Sequence, residues 1–419
     1  MHFDSRRQKI RRLLPTNDIA IAVRAGGHSL AGDSFCDGGV LIDVSGIKAI
    51  NLDLNQRLAR VDAGLTAAEL DRATQAFGMA TVLGECSAVG IAGYTLGGGL
   101  GRLMGQHGAA SDNLLSAEVV MAGGGIVLAS ADENGDLFWA IRGGGGTFGI
   151  VTSLEYQLHP VGNILGGSLT YPISAIREVL TFLDGFMMTA PDEFDVVVDI
   201  GNGGLMTFAP RVIEPILNLA VSYCGDLGAG ETALKPLRSF CRPLADTIRA
   251  MTYLEIQALS DIRPLAEFGS AGGSMVLEGG FIERFGTEVI DTLLEYLTDT
   301  PPCFWFTAEH YLHGAVCRPA PDATAFGLRR PGYSSRIFAA WRDSSQTEVS
   351  ALWVKRLSSA LEPFSGGVSY VNYLTGSTGE TGVRAAYGAN YERLVALKNK
   401  YDPSNFFNSN RNIKPDDVG

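Results

Sequence analysis

Two short stretches of the 419-residue chain set a nucleophilic side chain among glycines. His28 stands in Val23-Arg24-Ala25-Gly26-Gly27-His28-Ser29, and Cys86 in GECSAVGIAGYTLGGGLG, which begins at Gly84. Glycine lets backbone amides approach a phosphate closely. A neutral imidazole and a thiolate are both competent to attack an electrophilic carbon. These residue types therefore suit a phosphate-bearing group that is cradled by backbone and bonded covalently. Each has a plainer use as well. His28 can be a loop residue satisfied by backbone bonds, and Cys86 a small buried apolar side chain. Around Cys86, Val89-Gly90-Ile91-Ala92-Gly93 and the run Gly97–Gly99, Gly101 make a bare backbone that a planar ring could lie against.

A third set is Tyr370 and Tyr373 in SYVNYLTG. The segment reads as strand-like with its two phenols expected on one face, either as ordinary aromatic packing or with one phenol as a general base. A phenol of reference pKa ~10 needs a cationic or hydrogen-bonding neighbour to serve as a base at neutral pH. No such neighbour is visible in the sequence.

The elements that must position these residues follow from hydrophobic period. Apolar runs predict strands at Ile19–Arg24, Gly39–Val44 and Leu58–Val61, the first ending in the AGGHS turn. A helix is predicted from Thr66 to Phe77 with Gly78 as its C-cap, and a hairpin from Ala117–Ala122 with Ile126–Ala129. FWAIRGGGGTFGIVTSLEYQLHP reads as a glycine loop running into a strand closed by Pro160. From about 161 to 370 glycine clusters thin out. Strands at Phe194–Ile200, Leu217–Tyr223 and Arg336–Trp341 alternate there with helices at Thr287–Leu297 and Val349–Leu361. That texture predicts an α+β layer with a mostly antiparallel sheet. The tail from Arg384 opens as one amphipathic helix, with Tyr387, Tyr391, Leu394 and Leu397 on one face, stopped by Asp402-Pro403.

Composition bounds the function. The length calls for two domains, and 46% apolar with 19% charged residues describes a globular chain. Glycine, at 52 of 419 residues, is about 12% against a usual ~7%. A net charge of −12 argues against nucleic acid, whose phosphates call for a basic face. No run approaches the ~18 apolar residues of a membrane helix. The basic start MHFDSRRQKIRRLL lacks the apolar core of a secretory signal, so a cytoplasmic enzyme is the expectation. The six cysteines show no metal-like spacing, so no metal site is expected.

Two other motifs fail. Gly27-His28-Ser29-Leu30-Ala31 approaches the hydrolase G-x-S-x-G, but Ala31 replaces the last glycine and a loop follows where a helix is required. Gly144-x-Gly146-x-x-Gly149 satisfies G-x-G-x-x-G, yet Ile150–Leu158 after it reads as a strand, which disfavours NAD.

Taken in order, the motifs resemble the FAD-linked oxidases of the vanillyl-alcohol-oxidase superfamily, in the berberine-bridge-enzyme-like branch. They are VRAGGHS at 23–29, DGGVLIDVS at 37–45, GECSAVGIAGYTLGGGLG at 84–101 and SDNLLSAEVV at 111–120. DLFWAIRGGGGTFGIVTSLEYQLHP at 136–160, PDATAF at 321–326, YVNY at 370–373 and RLVALKNKYDPSNFF with NIKP complete the set. The resemblance implies an α+β fold: a two-subdomain PCMH-type FAD-binding domain (residues 1–160, returning at 371–419) and an inserted substrate domain (161–370) whose mostly antiparallel sheet is covered by helices. It places on His28 the bond to the 8α carbon of the flavin, and on Cys86 the second bond, to ring carbon C6, found in the bi-covalent members. It assigns the backbone of Arg24, Ala25, Gly26, Gly27 and Ser29, of Gly84, Val89, Gly90, Gly93, Tyr94 and Gly97, and of Gly149 and Val151 to holding FAD. Asn412 would approach the flavin. Tyr373 matches the family tyrosine that takes a substrate proton while hydride passes to flavin N5, with Tyr370 as its alternate.

The implied activity is oxidation of an alcohol or amine carbon of a small molecule, a sugar, an alkaloid-like amine or a secondary metabolite, with O2 as acceptor yielding H2O2. A dehydrogenase of the same fold and a flavin-binding protein without turnover are the rivals. Relatives carry a strand-helix segment before the R-x-G-G-H-S strand, whereas 23 residues precede Arg24 here, so the start is expected to be truncated or misassigned. Thr147 stands where asparagine is common, and Gln106-His107 departs from the usual wording.

Overall fold

The structure, a computed structural model, describes residues 19–29, 31–202, 214–259, 261, 272–375, 378–408 and 411–416. The expectation about the chain's start falls on residues 1–18, outside the described residues.

The first part of the chain forms β1 (Ile21–Arg24), β2 (Val40–Asp43), β3 (Ile50–Asp53), β4 (Leu58–Asp62), β5 (Met79–Ala80), β6 (Leu114–Val120), β7 (Ile126–Ser130), β8 (Ile150–Gln157) and β9 (His159–Pro160). β1 and β2 pair in parallel, with Arg24 opposite Asp43. The sheet of order β3-β4-β8-β6-β7 is antiparallel throughout, and β6 with β7 is the hairpin expected around the glycines at 123–125. The helix Ala67–Gln75 begins one residue after Thr66, whose side chain and Glu69 form a reciprocal capping box, a device worth ~1 kcal/mol. It stops short of the expected Phe77. Gly78, at φ +64°, lies two residues beyond its C-cap Ala76.

The second part contributes β10 (Ile164–Pro172), β11 (Phe194–Asn202), β12 (Pro215–Tyr223), β13 (Ala245–Asp246), β14 (Arg249–Met251), β15 (Ser274–Ile282), β16 (Phe304–Leu312) and β17 (Gly332–Trp341). They make one eight-stranded antiparallel sheet of order β13-β10-β12-β11-β16-β17-β15, with β14 also on β10. Alternation along β11 sends Phe194, Val196, Val198 and Ile200 to one face. That face packs beneath the helices Ile176–Met187, Thr287–Leu297 and Thr347–Leu361 in one continuous apolar core. Asp195, Val197 and Asp199 point to the opposite face.

Three expectations need correction. The glycine loop before β8 is preceded by a helix, Gly135–Ile141, whose five consecutive buried residues show no amphipathic period. The tail is two helices, Gly379–Tyr387 and Tyr391–Tyr401, because Gly388 takes φ +52° between them. Tyr370 and Tyr373 lie on no strand, since Val371–Tyr373 is a single 3-10 turn. Three positions apart, the two side chains would fall on opposite faces of a strand; the turn, closed by Tyr373 N donating to Tyr370 O at 2.9 Å, is what brings the phenols to one side.

The tail is locked to the glycine-rich loop by one buried lysine. Lys398 Nζ donates to Thr147 O at 2.7 Å, Thr147 Oγ1 at 3.0 Å, Phe407 O at 3.0 Å and Asp402 Oδ2 at 2.7 Å. All its donors are satisfied, which is what makes a fully buried ammonium tolerable.

Candidate active site

The two nucleophile loops meet back to back. A Cβ on Gly26 would lie 2.2 Å from Gly90 N, and one on Gly90 would lie 2.4 Å from Gly26 N, so both positions must be glycine. The AGGHS turn and the Cys86 loop, far apart along the chain, are thereby fused through backbone. The loop 84–89 is also held from the helix Ala67–Gln75, where Ala67 N donates to Val89 O and Ala68 N to Ser87 O. His28 is exposed, and the desolvation it does undergo lowers its imidazole pKa. Cys86 is half-buried. Burial raises its thiol pKa, opposed by the amides of Ala88 and Val89; Asp261 adds to the rise and Arg336 opposes it.

Other sequence-assigned residues are engaged in packing and hydrogen bonding. Arg24 pairs with Asp43 at 2.5 Å, and Ser29 Oγ accepts from Asp33 N at 3.2 Å. The Tyr94 hydroxyl donates to Leu100 O, and its ring fills the space beside Gly84 and Gly99. The space beside Gly97 is taken by Asn372, and that beside Gly149 by Val119. Gly93 faces open space, Ala25 and Gly27 flank the Gly26 contact, and Val151 is buried in β8. Asn412 presents a buried Oδ1 with no hydrogen-bond partner. A bare backbone junction, an imidazole, a thiol and an unsatisfied amide oxygen fit a dinucleotide carrying a planar ring.

Opposite these loops lies the polar face of the eight-stranded sheet. Tyr370 is fully buried and its oxygen accepts from Gly99 N at 2.9 Å and from Asn372 Nδ2 at 2.8 Å, so it braces the glycine run. Burial raises its pKa strongly. Tyr373 stands edge-on to it, with ring centroids 4.8 Å apart, and is half-buried against the apolar patch that contains Phe306 and Phe338. The Arg336 guanidinium lies 5.2 Å from the Tyr373 ring centre. Burial raises the Tyr373 pKa, Arg336 pulls it down and Glu85 pushes it up, with a net rise.

Sequence reasoning missed the charged network beneath this tyrosine. Glu85 Oε1 sits 3.3 Å from Arg102 Nη2, Glu85 Oε2 sits 3.9 Å from Arg336 Nη2, and Arg102 Nη1 sits 3.7 Å from Asp195 Oδ2. His310 Nε2 lies 2.6 Å from Asp195 Oδ1. Burial opposes the His310 charge, but Asp195 outweighs it and the imidazole pKa rises. Glu85, Asp195 and His310 bring one ligand atom each within 4.8 Å of the others. The two guanidiniums already balance those carboxylates, so the cluster is an ion-pair network and unsuited to a cation. Asp199 on the same face is pushed up to about 7 by burial, with Arg336 opposing. The one signal for this in the sequence is Asp195 and Asp199, four apart in an apolar strand and hence on one face.

A family model described as "FAD binding domain" matches residues 6–130, and one described as "Berberine and berberine like" matches 369–414. An FAD-linked oxidoreductase of Dictyostelium discoideum is 30% identical over 401 residues, covering 95% of this chain and 84% of the relative. The chain belongs to the berberine-bridge-enzyme-like FAD-linked oxidoreductases. Among solved structures, 6-hydroxy-D-nicotine oxidase from Arthrobacter nicotinovorans superposes with a TM-score of 0.85 at 29% identity, over 97% of this chain and 89% of that one. A berberine bridge enzyme variant does so with a TM-score of 0.84 at 23% identity, over 98% and 86%. This FAD-linked oxidoreductase thus has the α+β, PCMH-type fold implied by its motifs. No helix among its described residues is long and apolar enough to cross a membrane.

Proposed function

We propose that this FAD-linked oxidoreductase oxidises an alcohol or amine carbon of a small molecule, holds its FAD through His28 and Cys86, and uses O2 as acceptor. The observation that carries this reading is the Gly26–Gly90 junction, which joins the two nucleophile loops through backbone. The relative (R)-6-hydroxynicotine oxidase of Paenarthrobacter nicotinovorans, 28% identical over 418 residues, supports an oxidase acting on an amine. FAD, when bound, supplies the two-electron acceptor for the hydride and passes the electrons to oxygen. The residues of the chain do the rest. His28 and Cys86 tether the ring, and the Asn412 amide offers its unsatisfied oxygen to it. Tyr373 takes the substrate proton at its phenolic oxygen, in the field of Arg336. The Phe306 and Phe338 rings, stacked with centroids 5.0 Å apart, give the neighbouring face an aromatic character suited to an apolar substrate body.

Two measurements test the reading. After acid precipitation the yellow colour should stay in the pellet; His28→Ala and Cys86→Ala should each leave one link, and the double variant none. FAD released wholly into the supernatant refutes covalent attachment. Anaerobic reduction by a substrate followed by mixing with oxygen should give rapid reoxidation and peroxide, whereas sluggish reoxidation assigns the chain to the dehydrogenases.

A further inference from the structure

The backbone on either side of Cys86 is gripped from the far part of the chain. The helix Tyr253–Leu259 packs near the helix Ala67–Gln75, and Gln257, 3% exposed, donates its Nε2 to Gly84 O at 3.0 Å and to Asp71 Oδ2 at 3.1 Å. Just past that helix, Asp261 Oδ1 accepts from Ser87 N at 2.8 Å. The carbonyl two residues before Cys86 and the amide one residue after it are therefore fixed by two residues four apart, Gln257 and Asp261. The grip is oddly polar for a buried place. Asp71 Oδ1, Gln257 Oε1 and the Tyr253 hydroxyl are buried without hydrogen-bond partners. An apolar contact would have held two helices together at less cost, since each unsatisfied buried polar atom is penalised. Polar groups at this point make sense if their task is to aim a backbone.

We propose that Gln257 and Asp261 are positioning residues for the cysteinyl bond, clamping the Cys86 loop so that its sulfur is aligned with flavin carbon C6. The inference rests on the covalent reading above. In the step it serves, the thiol gives up its proton and sulfur bonds to C6, which gives up its own hydrogen as a proton. The two electrons left on the ring pass to molecular oxygen, which leaves with both protons as hydrogen peroxide. A further consequence is that the second tether forms only once Gln257 and Asp261 have docked onto the loop that carries Cys86.

Positioning and charge can be separated at Asp261, because its carboxylate also raises the Cys86 pKa and so disfavours the thiolate. Asp261→Asn removes the charge and keeps an oxygen to accept from Ser87 N; Asp261→Ala removes both. A purely electrostatic role would accelerate bond formation in both variants. A positioning role slows it in Asp261→Ala alone, by on the order of 100-fold for an ångström-scale misplacement. Gln257→Leu should act like Asp261→Ala, and the half-buried Asp261 keeps the test valid if the buried Gln257→Leu chain fails to fold.

The readout needs no turnover. Full-length protein made under riboflavin starvation is incubated with FAD in air, and denatured samples are titrated for thiols over time. All six cysteines are free, so the wild type should fall from six thiols to five, and Asp261→Asn likewise. Asp261→Ala should stay near six while retaining acid-stable flavin through His28. Loss of one thiol at the wild-type rate in both Asp261→Ala and Gln257→Leu overturns the inference and leaves the two-bond reading standing. Six thiols persisting in the wild type overturns the two-bond reading, and the inference with it.

Discussion

The Arg336 guanidinium sits 5.2 Å from the ring centre of Tyr373, while Glu85, which lies 3.9 Å from Arg336, pushes the same phenol the other way. The phenol's pKa is raised overall, so deprotonation is a high-pH event, and a reaction needing the phenolate gains rate as pH rises. Arg336→Leu removes the lowering charge and should move the alkaline rise of kcat/KM to higher pH. Glu85→Gln removes a raising charge and should move it to lower pH. Displacements of about one pH unit are expected for charges at this range. A pH profile of kcat/KM for the three proteins checks this, and a rise that stays put in both variants removes Tyr373 as its origin.

Tyr373→Phe should keep its flavin and lose turnover by about 10²–10⁴-fold, the usual contribution of a general base. Steady-state kinetics beside the flavin absorbance decides it. Unchanged rates would transfer the role to Tyr370 or elsewhere, although Tyr370 is occupied in bracing Gly99.

Gly279 of β15 lies against the backbone of Tyr373, and a Cβ there would come within 2.4 Å of Tyr373 Cβ and 2.7 Å of its carbonyl oxygen. Gly279→Ala must therefore displace the 3-10 turn that carries the tyrosine. The expected result is a fall in kcat of about 10²-fold for an ångström-scale shift, with flavin retained and a modest drop in Tm. A variant with wild-type kcat would show that the position of Tyr373 is not critical.

On the helix-covered face, Glu309 is fully buried, its pKa is pushed up to about 8 by burial, and its Oε2 has no hydrogen-bond partner. A raised folded-state pKa means that the protonated acid is the stable form. Its stability contribution is complete below the ordinary carboxylate value of 4.5 and is lost as pH rises through about 8. Glu309→Gln, neutral at every pH, should lie close to the wild type at pH 5 and exceed it at pH 9. The gain should reach a few kcal/mol, because each tenfold change in an ionisation constant on folding corresponds to about 1.4 kcal/mol. Thermal unfolding at both values measures it; equal Tm differences at the two would mean that Glu309 is not held protonated.

Much of this protein could be read along the chain. The helix Thr287–Leu297 and the strand cores around Val197, Leu219 and Phe338 announce themselves by period, because one face of each must bury apolar side chains. Glycine announces itself at Gly26 and Gly90 because no other residue allows backbone to touch backbone there. The short helix Gly135–Ile141 did not, since it is buried on every side and carries no alternation. Nor did the break at Gly388, where one residue in the left-handed region divides a continuous amphipathic pattern.

Local devices are written in the residues themselves: the two nucleophiles in bare backbone, the capped helix that lies between them, and the order of motifs that marks an FAD-linked oxidoreductase. Which distant groups surround those devices is a property of the folded molecule. Glu85 meets Arg102 and Arg336, Asp195 meets His310, and Gln257 reaches Gly84. Pairings of this kind span long stretches of chain. They depend on strand register and on which sheet face turns toward the loops, and no local propensity encodes either.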